Sequence, residues 1–117
     1  MAWLVSDARV LASAELADSR AARRRGLLGR DDLDGAFVIE PCRWIHTLGM
    51  RFPIDVAYLD GDGTVLKTCR MNRHRVALPV RHAHLVIEAR AGAFERWGLH
   101  VGDEIEIRCD EATDRSA

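Results

Sequence analysis

Cysteine, proline, lysine and aromatic residues are all scarce in this chain of 117 residues. Its three cysteines, Cys42, Cys69 and Cys109, are an odd number without close spacing, which argues against a disulfide framework and favours a reducing compartment. No apolar run reaches the length of about 18 residues that a spanning helix needs, so we expect no membrane partner. The N-terminus lacks a basic segment followed by an apolar one, so we expect no signal peptide and a cytoplasmic location.

Neither sign of charge predominates, because 17 basic and 18 acidic side chains leave a net charge of -1. This balance excludes a domain that is basic throughout, so a nucleic-acid partner is not expected. The charge is uneven along the chain, since residues 41–84 carry seven cations and three acids, whereas residues 85–117 carry four and eight. The basic residues 41–84 therefore favour an anionic ligand or a pairing with the acidic residues 85–117 of the same chain. The expected partner is a small molecule or a protein.

Short apolar stretches separated by turn residues predict strands over residues 3–5, 9–12, 36–39, 52–59, 64–69, 85–89 and 104–108. One helix is expected near residues 19–27 after the N-cap signal Asp18-Ser19, and a shorter one over residues 92–97. These elements predict a mainly β (α+β) fold, a small barrel-like mixed sheet, closed or half-closed, with one or two short helices. Residues 1–109 are expected to form a single domain, and residues 110–117 a disordered tail.

The densest polar cluster in an apolar stretch runs from His46 to Asp55. One interpretation is structural, with Asp55 accepting hydrogen bonds from backbone N–H groups and bracing the preceding loop. The functional hypothesis is a non-enzymatic binding or accessory module, whose ligand face has Glu88 at its rim and consists of Trp44, His46, Thr47, Met50, Arg51 and Asp55. His46 would exchange a proton near pH 7, and Arg51 would bind a carboxylate or phosphate.

The alternative hypothesis is a hydrolase or transferase that acts on a small anionic or sugar-like substrate, using Asp55 or Glu88 with His46. Glu40 and Glu88 each follow an apolar stretch and would form a carboxylate pair if their strands are neighbours; otherwise they are solvated strand ends. The spacings of Cys42 with His46 and of His82 with His84 do not match common zinc sites, so neither a metal nor another cofactor is expected.

Two groups of arginines remain. Arg23, Arg24 and Arg25 would fan over roughly 200° of a helix, so most of them must be solvated. Four more arginines and a histidine share one predicted loop, which offers a docking surface for nucleic acid or protein or is simply a solvated loop: Arg70, Arg73, His74, Arg75 and Arg81.

The order of the motifs is distinctive. Arg-Arg-Gly-Leu-Leu-Gly-Arg (24–30) precedes Ile-His-Thr-Leu-Gly-Met-Arg-Phe-Pro-Ile-Asp-Val-Ala-Tyr-Leu-Asp (45–60), and Gly-Asp-Gly-Thr-Val (61–65), Val-Ile-Glu-Ala-Arg-Ala-Gly (86–92) and Gly-Leu-His-Val-Gly-Asp (98–103) follow. This pattern resembles the family called domain of unknown function 192. The resemblance implies a compact, mainly β, barrel-like fold with a short helix or two, and no established activity. Many members have Trp-Met-Lys-Asn-Thr where this chain has Trp-Ile-His-Thr-Leu-Gly-Met (44–50), so His46 stands near the place of that lysine.

Overall fold

The computed structural model describes residues 2–17 and 19–109, and within them seven strands form one mixed sheet flanked by two short helices. The elements, in chain order, are β1 (Ala2–Ser6), β2 (Arg9–Ala17), α1 (Arg20–Arg25), β3 (Ala36–Ile39), β4 (Ile54–Leu59), β5 (Val65–Met71), β6 (Leu85–Arg90), α2 (Ala93–Trp97) and β7 (Glu106–Cys109). The strand order is β5-β4-β6-β3-β2-β1-β7, and β2 pairs with β3 in parallel. The mainly β prediction is confirmed, while residues 110–117 lie outside the described residues.

The sheet approaches a barrel without closing into one. Its edge strands in the described chain are β5 and β7, and the segments that precede them meet at one corner through a bridge between Thr64 and Glu104. At the same corner the Ile105 N–H donates to the Gly63 carbonyl oxygen at 2.8 Å. The barrel-like sheet is therefore confirmed in its half-closed form.

Both faces of the sheet are covered by apolar layers. Along β4 and β6, alternate residues point to opposite faces, so Val56 and Val86 belong to one apolar layer while Ala57 and Ile87 belong to the other. Glu88 follows Val86 by two residues and thus lies on the same face, called the pocket face below. Because both sides of β4 and β6 are packed, their residues are almost all buried, as in strands at the centre of a covered sheet.

Helix α1 is shorter than the predicted residues 19–27. Ser19 is its N-cap, and the Ser19 hydroxyl accepts a hydrogen bond from the Ala22 N–H at 3.0 Å. The helix ends at Gly26, where φ is +54°, and the buried Leu27 then anchors its end on the pocket face. Neither α1 nor α2 is long and apolar enough to cross a membrane, and the described chain has no other helix.

The segment of residues 41–53 contains no helix or strand and covers the pocket face, although residues 52 and 53 were expected to belong to a strand. Its side chains Ile45, Met50 and Phe52 are buried in the same apolar layer as Val86. Since Leu27 contributes to this layer from the other side, the end of α1 and residues 41–53 lie above the same part of the sheet.

Several strands differ in extent from their predictions, and β2 differs the most. β2 runs over nine residues instead of four, because beyond the hairpin with β1 its second half pairs with β3. β7 begins at Glu106 rather than Glu104, because Glu104 and Ile105 pair with the turn before β5 instead. The β4–β5 turn matches its prediction, and the Asp60 carboxylate accepts hydrogen bonds from the N–H groups of Asp62 and Thr64.

Replacing Gly63 with alanine is expected to lower the free energy of unfolding by about 2 kcal/mol. Gly63 has φ +87°, and a Cβ there would lie 2.5 Å from the Ile105 carbonyl oxygen. Gly61 is a matched control in the same turn, because a Cβ there meets nothing within 4 Å. Urea unfolding of both variants measures the difference, and equal losses for G63A and G61A would contradict the close approach at the sheet corner.

Candidate functional site

A pocket of about 310 Å³ opens on the pocket face, between the end of α1 and residues 42–50. Its floor is the sheet, and its walls are the two segments that cover this part of the sheet. The lining residues are Arg23, Arg24, Arg25, Gly26, Leu27, Leu28, Ile39, Cys42, Trp44, Ile45, His46, Met50 and Glu88.

Glu88 is the acidic side chain of the pocket, and it lies in apolar surroundings. Its neighbours across the two adjoining strands are Phe37 on β3 and Val56 on β4. The residue is only 3% exposed, and burial alone raises the pKa of its carboxyl to about 7. The Glu88 carboxyl has no hydrogen-bond partner among the described residues. Since no side-chain oxygen or nitrogen in the described chain is both fully buried and unpartnered, the small exposed area of Glu88 includes its carboxyl group, which opens to the pocket. Near neutral pH this group can either donate or accept a hydrogen bond.

Three arginines at the end of α1 form the basic side of the pocket. Arg24 and Arg25 are exposed, and the half-buried Arg23 donates to the Glu40 carbonyl oxygen at 3.5 Å. Cations in the last turn of a helix interact favourably with its dipole, which suits this position. The three arginines line the same pocket as Glu88, and the shift in the pKa of that carboxyl comes from its burial. An anionic group could therefore be bound by the arginines while Glu88 contacts another part of the same molecule.

Trp44 and His46 form a wall of the pocket. Their ring centroids lie 6.0 Å apart, and the Trp44 side chain is exposed. His46 Nδ1 accepts a hydrogen bond from the Leu48 N–H at 3.2 Å. Neutral His46 thus carries its proton on Nε2, which is left as a donor. The pair offers a ligand an aromatic surface and one polar hydrogen.

Cys42 also lines the pocket, but its environment keeps it a thiol. Burial is the largest influence on this group and raises the pKa of Cys42, and the thiol donates to the Trp44 carbonyl oxygen at 3.1 Å. A thiolate is the reactive form of cysteine, so the raised pKa argues against Cys42 as a nucleophile.

Of the ligand face expected from the sequence, the structure brings Trp44, His46 and Met50 together with Glu88 in one pocket. The side chains of Thr47 and Arg51 have other partners. The buried Thr47 hydroxyl donates to the Asn72 carbonyl oxygen and accepts from the Arg75 N–H, while Arg51 pairs with Asp31 at 2.7 Å on the surface.

Asp55 lies on the face of β4 opposite the pocket and braces a helix. One carboxylate oxygen accepts hydrogen bonds from the N–H groups of Gly92 and Phe94, at 2.9 and 3.2 Å. These residues begin α2, whose first N–H groups have no partner within the helix. The other oxygen accepts from Arg70 Nε at 3.0 Å. Asp55 therefore caps α2 from a strand nearly forty residues earlier in the chain.

β3, which Glu40 follows, and β6, which contains Glu88, are the neighbouring strands that a pairing of the two carboxylates required, yet the two residues have different surroundings. Glu88 is opposite Phe37, whereas Glu40 follows the last residue of β3 and forms a salt bridge with His84 at 2.8 Å. Glu40 does not line the pocket. Among residues 2–17 and 19–109, no three side chains of the metal-ligating types gather as a metal site would need.

The arginines of α1 are the charged pocket residues that the sequence reasoning missed. It treated Arg23, Arg24 and Arg25 as a solvated helix surface. Their role depends on where α1 packs over the sheet, and the buried Leu27 fixes this position. Three cations in the last turn of a short helix were the available signal.

Fold and site together define a small, mainly β module with a pocket of mixed charge on one face of its sheet. The family model DUF192, described as "Uncharacterized ACR", matches residues 3–107, so the chain belongs to this family of unknown function. The family expected from the motifs is thereby confirmed.

Two crystal structures are similar in fold. A protein of unknown function from Novosphingobium aromaticivorans has a TM-score of 0.76 at 20% identity, covering 90% of this chain and 82% of that one. A protein from Sinorhizobium meliloti, whose description proposes a transcription regulator, has a TM-score of 0.75 at 23% identity, covering 90% of both chains. No curated protein matches with significance. At these identities the likeness concerns the fold alone.

Proposed function

We propose that the protein is a small cytoplasmic binding module whose pocket takes a small organic anion bearing a hydroxyl or amino group. The observation that carries the proposal is Glu88, a carboxyl that is 3% exposed, has no hydrogen-bond partner among the described residues and opens to a pocket with three arginines. A buried carboxyl without a partner is costly, and a ligand hydrogen bond would offset that cost. A reducing compartment would keep the three free thiols reduced.

The ligand chemistry follows from the layout of the pocket. The arginines of α1 favour a phosphate or carboxylate at the entrance, where guanidinium groups bind such anions with paired hydrogen bonds. Trp44 offers a surface for a flat ring or a sugar, and Glu88 on the floor selects a hydroxyl or amino hydrogen. A volume of about 310 Å³ suits a molecule of small-metabolite size.

The second candidate is a hydrolase or transferase that acts on the same kind of molecule. It is favoured by one observation, that Glu88, with a pKa of about 7, shares the pocket with the imidazole of His46, since a general acid or base works best when its own pKa lies near the working pH. Asp55 has no part in this candidate, because it caps α2 on the other face. Turnover of a bound probe that is lost in both E88Q and H46A would favour the enzyme over the binding module.

Amide chemical shifts in NMR titrations test the binding proposal. The probes are glucose 6-phosphate and 4-hydroxybenzoate, each compared with its uncharged counterpart, glucose or phenol. We expect at least one anionic probe to shift the amides of residues 42–46 and 87–89, and its uncharged counterpart to bind about tenfold more weakly or worse.

Three variants complete this test. Glu88→Leu and the triple replacement of Arg23, Arg24 and Arg25 by alanine should each weaken binding of the anionic probe about tenfold or more. Arg20→Ala is the matched control, because Arg20 belongs to the same helix but does not line the pocket. The proposal is contradicted if neither anionic probe binds, if the uncharged probes bind equally well, or if E88L binds like the unmodified protein.

A further inference from the structure

Outside the main sheet, residues 43–47 and 75–80 form a short antiparallel ribbon. The Ala77 N–H donates to the Ile45 carbonyl oxygen at 3.0 Å, and His46 and Val76 form a bridge at the next position. Side chains alternate between the two faces of such a ribbon, so Ile45 and Ala77 pack in the apolar layer of the pocket face while His46 and Val76 lie on the opposite face of the ribbon.

The outward face of this ribbon is apolar and exposed. The register places Trp44 opposite Leu78, and these side chains are 47% and 83% exposed, while Val76 is 62% exposed. The inward residues Ile45 and Thr47 are almost fully buried. The ribbon thus holds three large apolar side chains in solvent, which is unusual for a small protein unless the surface meets a partner.

The same two chain segments and the residues next to them carry exposed cations. Exposed arginines flank the ribbon on both segments, and none of them forms a salt bridge within the described chain: Arg43, Arg73, Arg75 and Arg81. Neither residues 41–54 nor residues 63–87 contain an aspartate or glutamate. The surface made of the ribbon and these arginines, called the basic ribbon below, combines apolar side chains with charge of one sign.

We propose that the basic ribbon docks on the surface of a bilayer rich in anionic phospholipids. Trp44, Val76 and Leu78 would enter the interface, while the arginines meet lipid phosphates. Anionic lipid phosphates complement the charge of the basic ribbon, and Leu78, an apolar side chain that projects into solvent, suits a soft interface. The sequence reasoning expected no membrane partner because no spanning run exists, but contact with a bilayer surface needs no spanning helix.

This inference does not rest on the proposed ligand of the pocket. Trp44 contributes to both surfaces, so the substitutions that test the basic ribbon are made at other residues. Val76 and Leu78 do not line the Glu88 pocket, so they are the residues replaced in the test.

Co-sedimentation with vesicles tests the proposal. At low ionic strength the protein should bind vesicles of equal parts phosphatidylglycerol and phosphatidylcholine and should not bind pure phosphatidylcholine. Val76→Asp combined with Leu78→Asp should weaken binding about tenfold or more, since both the apolar insertion and the charge pattern are lost. Val10→Asp is the matched control, because Val10 is as exposed as Val76, at 62%, but lies on the β1–β2 hairpin.

Reversing charge at Arg73 and Arg75 to glutamate should abolish vesicle binding, with the fold checked by circular dichroism. The proposal is overturned if the protein fails to bind the anionic vesicles, if it binds pure phosphatidylcholine equally well, or if the Val76 and Leu78 variant binds like the V10D control. The first of these results would favour an acidic protein as the partner of the basic ribbon.

Discussion

Replacing Asp55 with alanine is expected to lower the free energy of unfolding by about 3 kcal/mol. Asp55 is 5% exposed, and its carboxylate accepts three hydrogen bonds, two of them from the backbone at the start of α2. Its removal leaves the buried Phe94 N–H without a partner and takes the cap from α2, whose residues Ala93 and Phe94 pack on the sheet. Urea unfolding measures the loss, provided that the unfolding free energy of both proteins depends on urea concentration with the same slope.

Arg70→Ala is the control for this prediction. The Arg70 side chain is 57% exposed, so water screens its ion pair with Asp55, and we expect a loss of about 1 kcal/mol or less. If R70A were as destabilising as D55A, the ion pair rather than the cap of α2 would account for the contribution of Asp55. Asp55→Asn should fall between the two variants, since an amide oxygen can still accept from the backbone.

Replacing Glu88 with glutamine is expected to raise stability, and the gain should depend on pH. Burial raises the pKa of Glu88 from 4.5 to about 7 in the folded protein, so between these values the folded state holds a proton that the unfolded state has released. The contribution of Glu88 to stability therefore falls as the pH rises from 4.5 to about 7 and stays low above it. The full difference amounts to about 3 kcal/mol.

Unfolding free energies of E88Q and the unmodified protein, measured from pH 4 to pH 8, test this directly. The two curves should lie close together near pH 4.5 and separate by up to about 3 kcal/mol near pH 8, with E88Q the more stable. Glu104→Gln is a suitable control because Glu104 is exposed and lies outside the pocket. A constant difference between E88Q and the unmodified protein across this range would show that Glu88 ionises as freely as a surface carboxyl.

Asp55 and Glu88 differ in their hydrogen-bond partners, and this difference bears on function. Both carboxyls lie on central strands and are almost fully buried, but Asp55 has three partners and Glu88 has none among the described residues. A satisfied carboxylate contributes to the fold, whereas an unsatisfied one that opens to a pocket costs stability and is available to a ligand. A ligand that supplies its hydrogen bond would stabilise the protein in proportion to its binding.

Local signals were enough to predict much of the fold. The turn Asp60-Gly61-Asp62-Gly63 between two apolar runs predicted the β4–β5 hairpin, and Ser19 predicted the start of α1. The parallel pairing of β2 with β3 and the place of β6 between β3 and β4 were beyond reach, because each depends on contacts between segments far apart in the chain. The second half of β2 was missed for the same reason.

The candidate site, too, could be predicted only in part from the sequence. Trp44, His46 and Met50 were predicted together because they lie in one irregular segment, and Glu88 was added at their rim because it ends an apolar run. Glu88 lies on the floor of the pocket and faces the pocket, not the apolar layer on the opposite side of the sheet. This placement follows from the register of β6 and was not evident from the sequence. Asp55 lies in the same polar cluster as His46, but strand alternation in β4 directs it to the other face.

The most direct test of the proposed function follows the carboxyl carbon of Glu88 by ¹³C NMR while glucose 6-phosphate or 4-hydroxybenzoate is added. The carbon should titrate with a midpoint near 7 in the free protein. On addition of the bound probe it should shift and saturate with the same dissociation constant as the amides of residues 42–46. A midpoint near the ordinary value of 4.5, or a carboxyl carbon that does not respond while other amides shift, would contradict Glu88 as the centre of a ligand site.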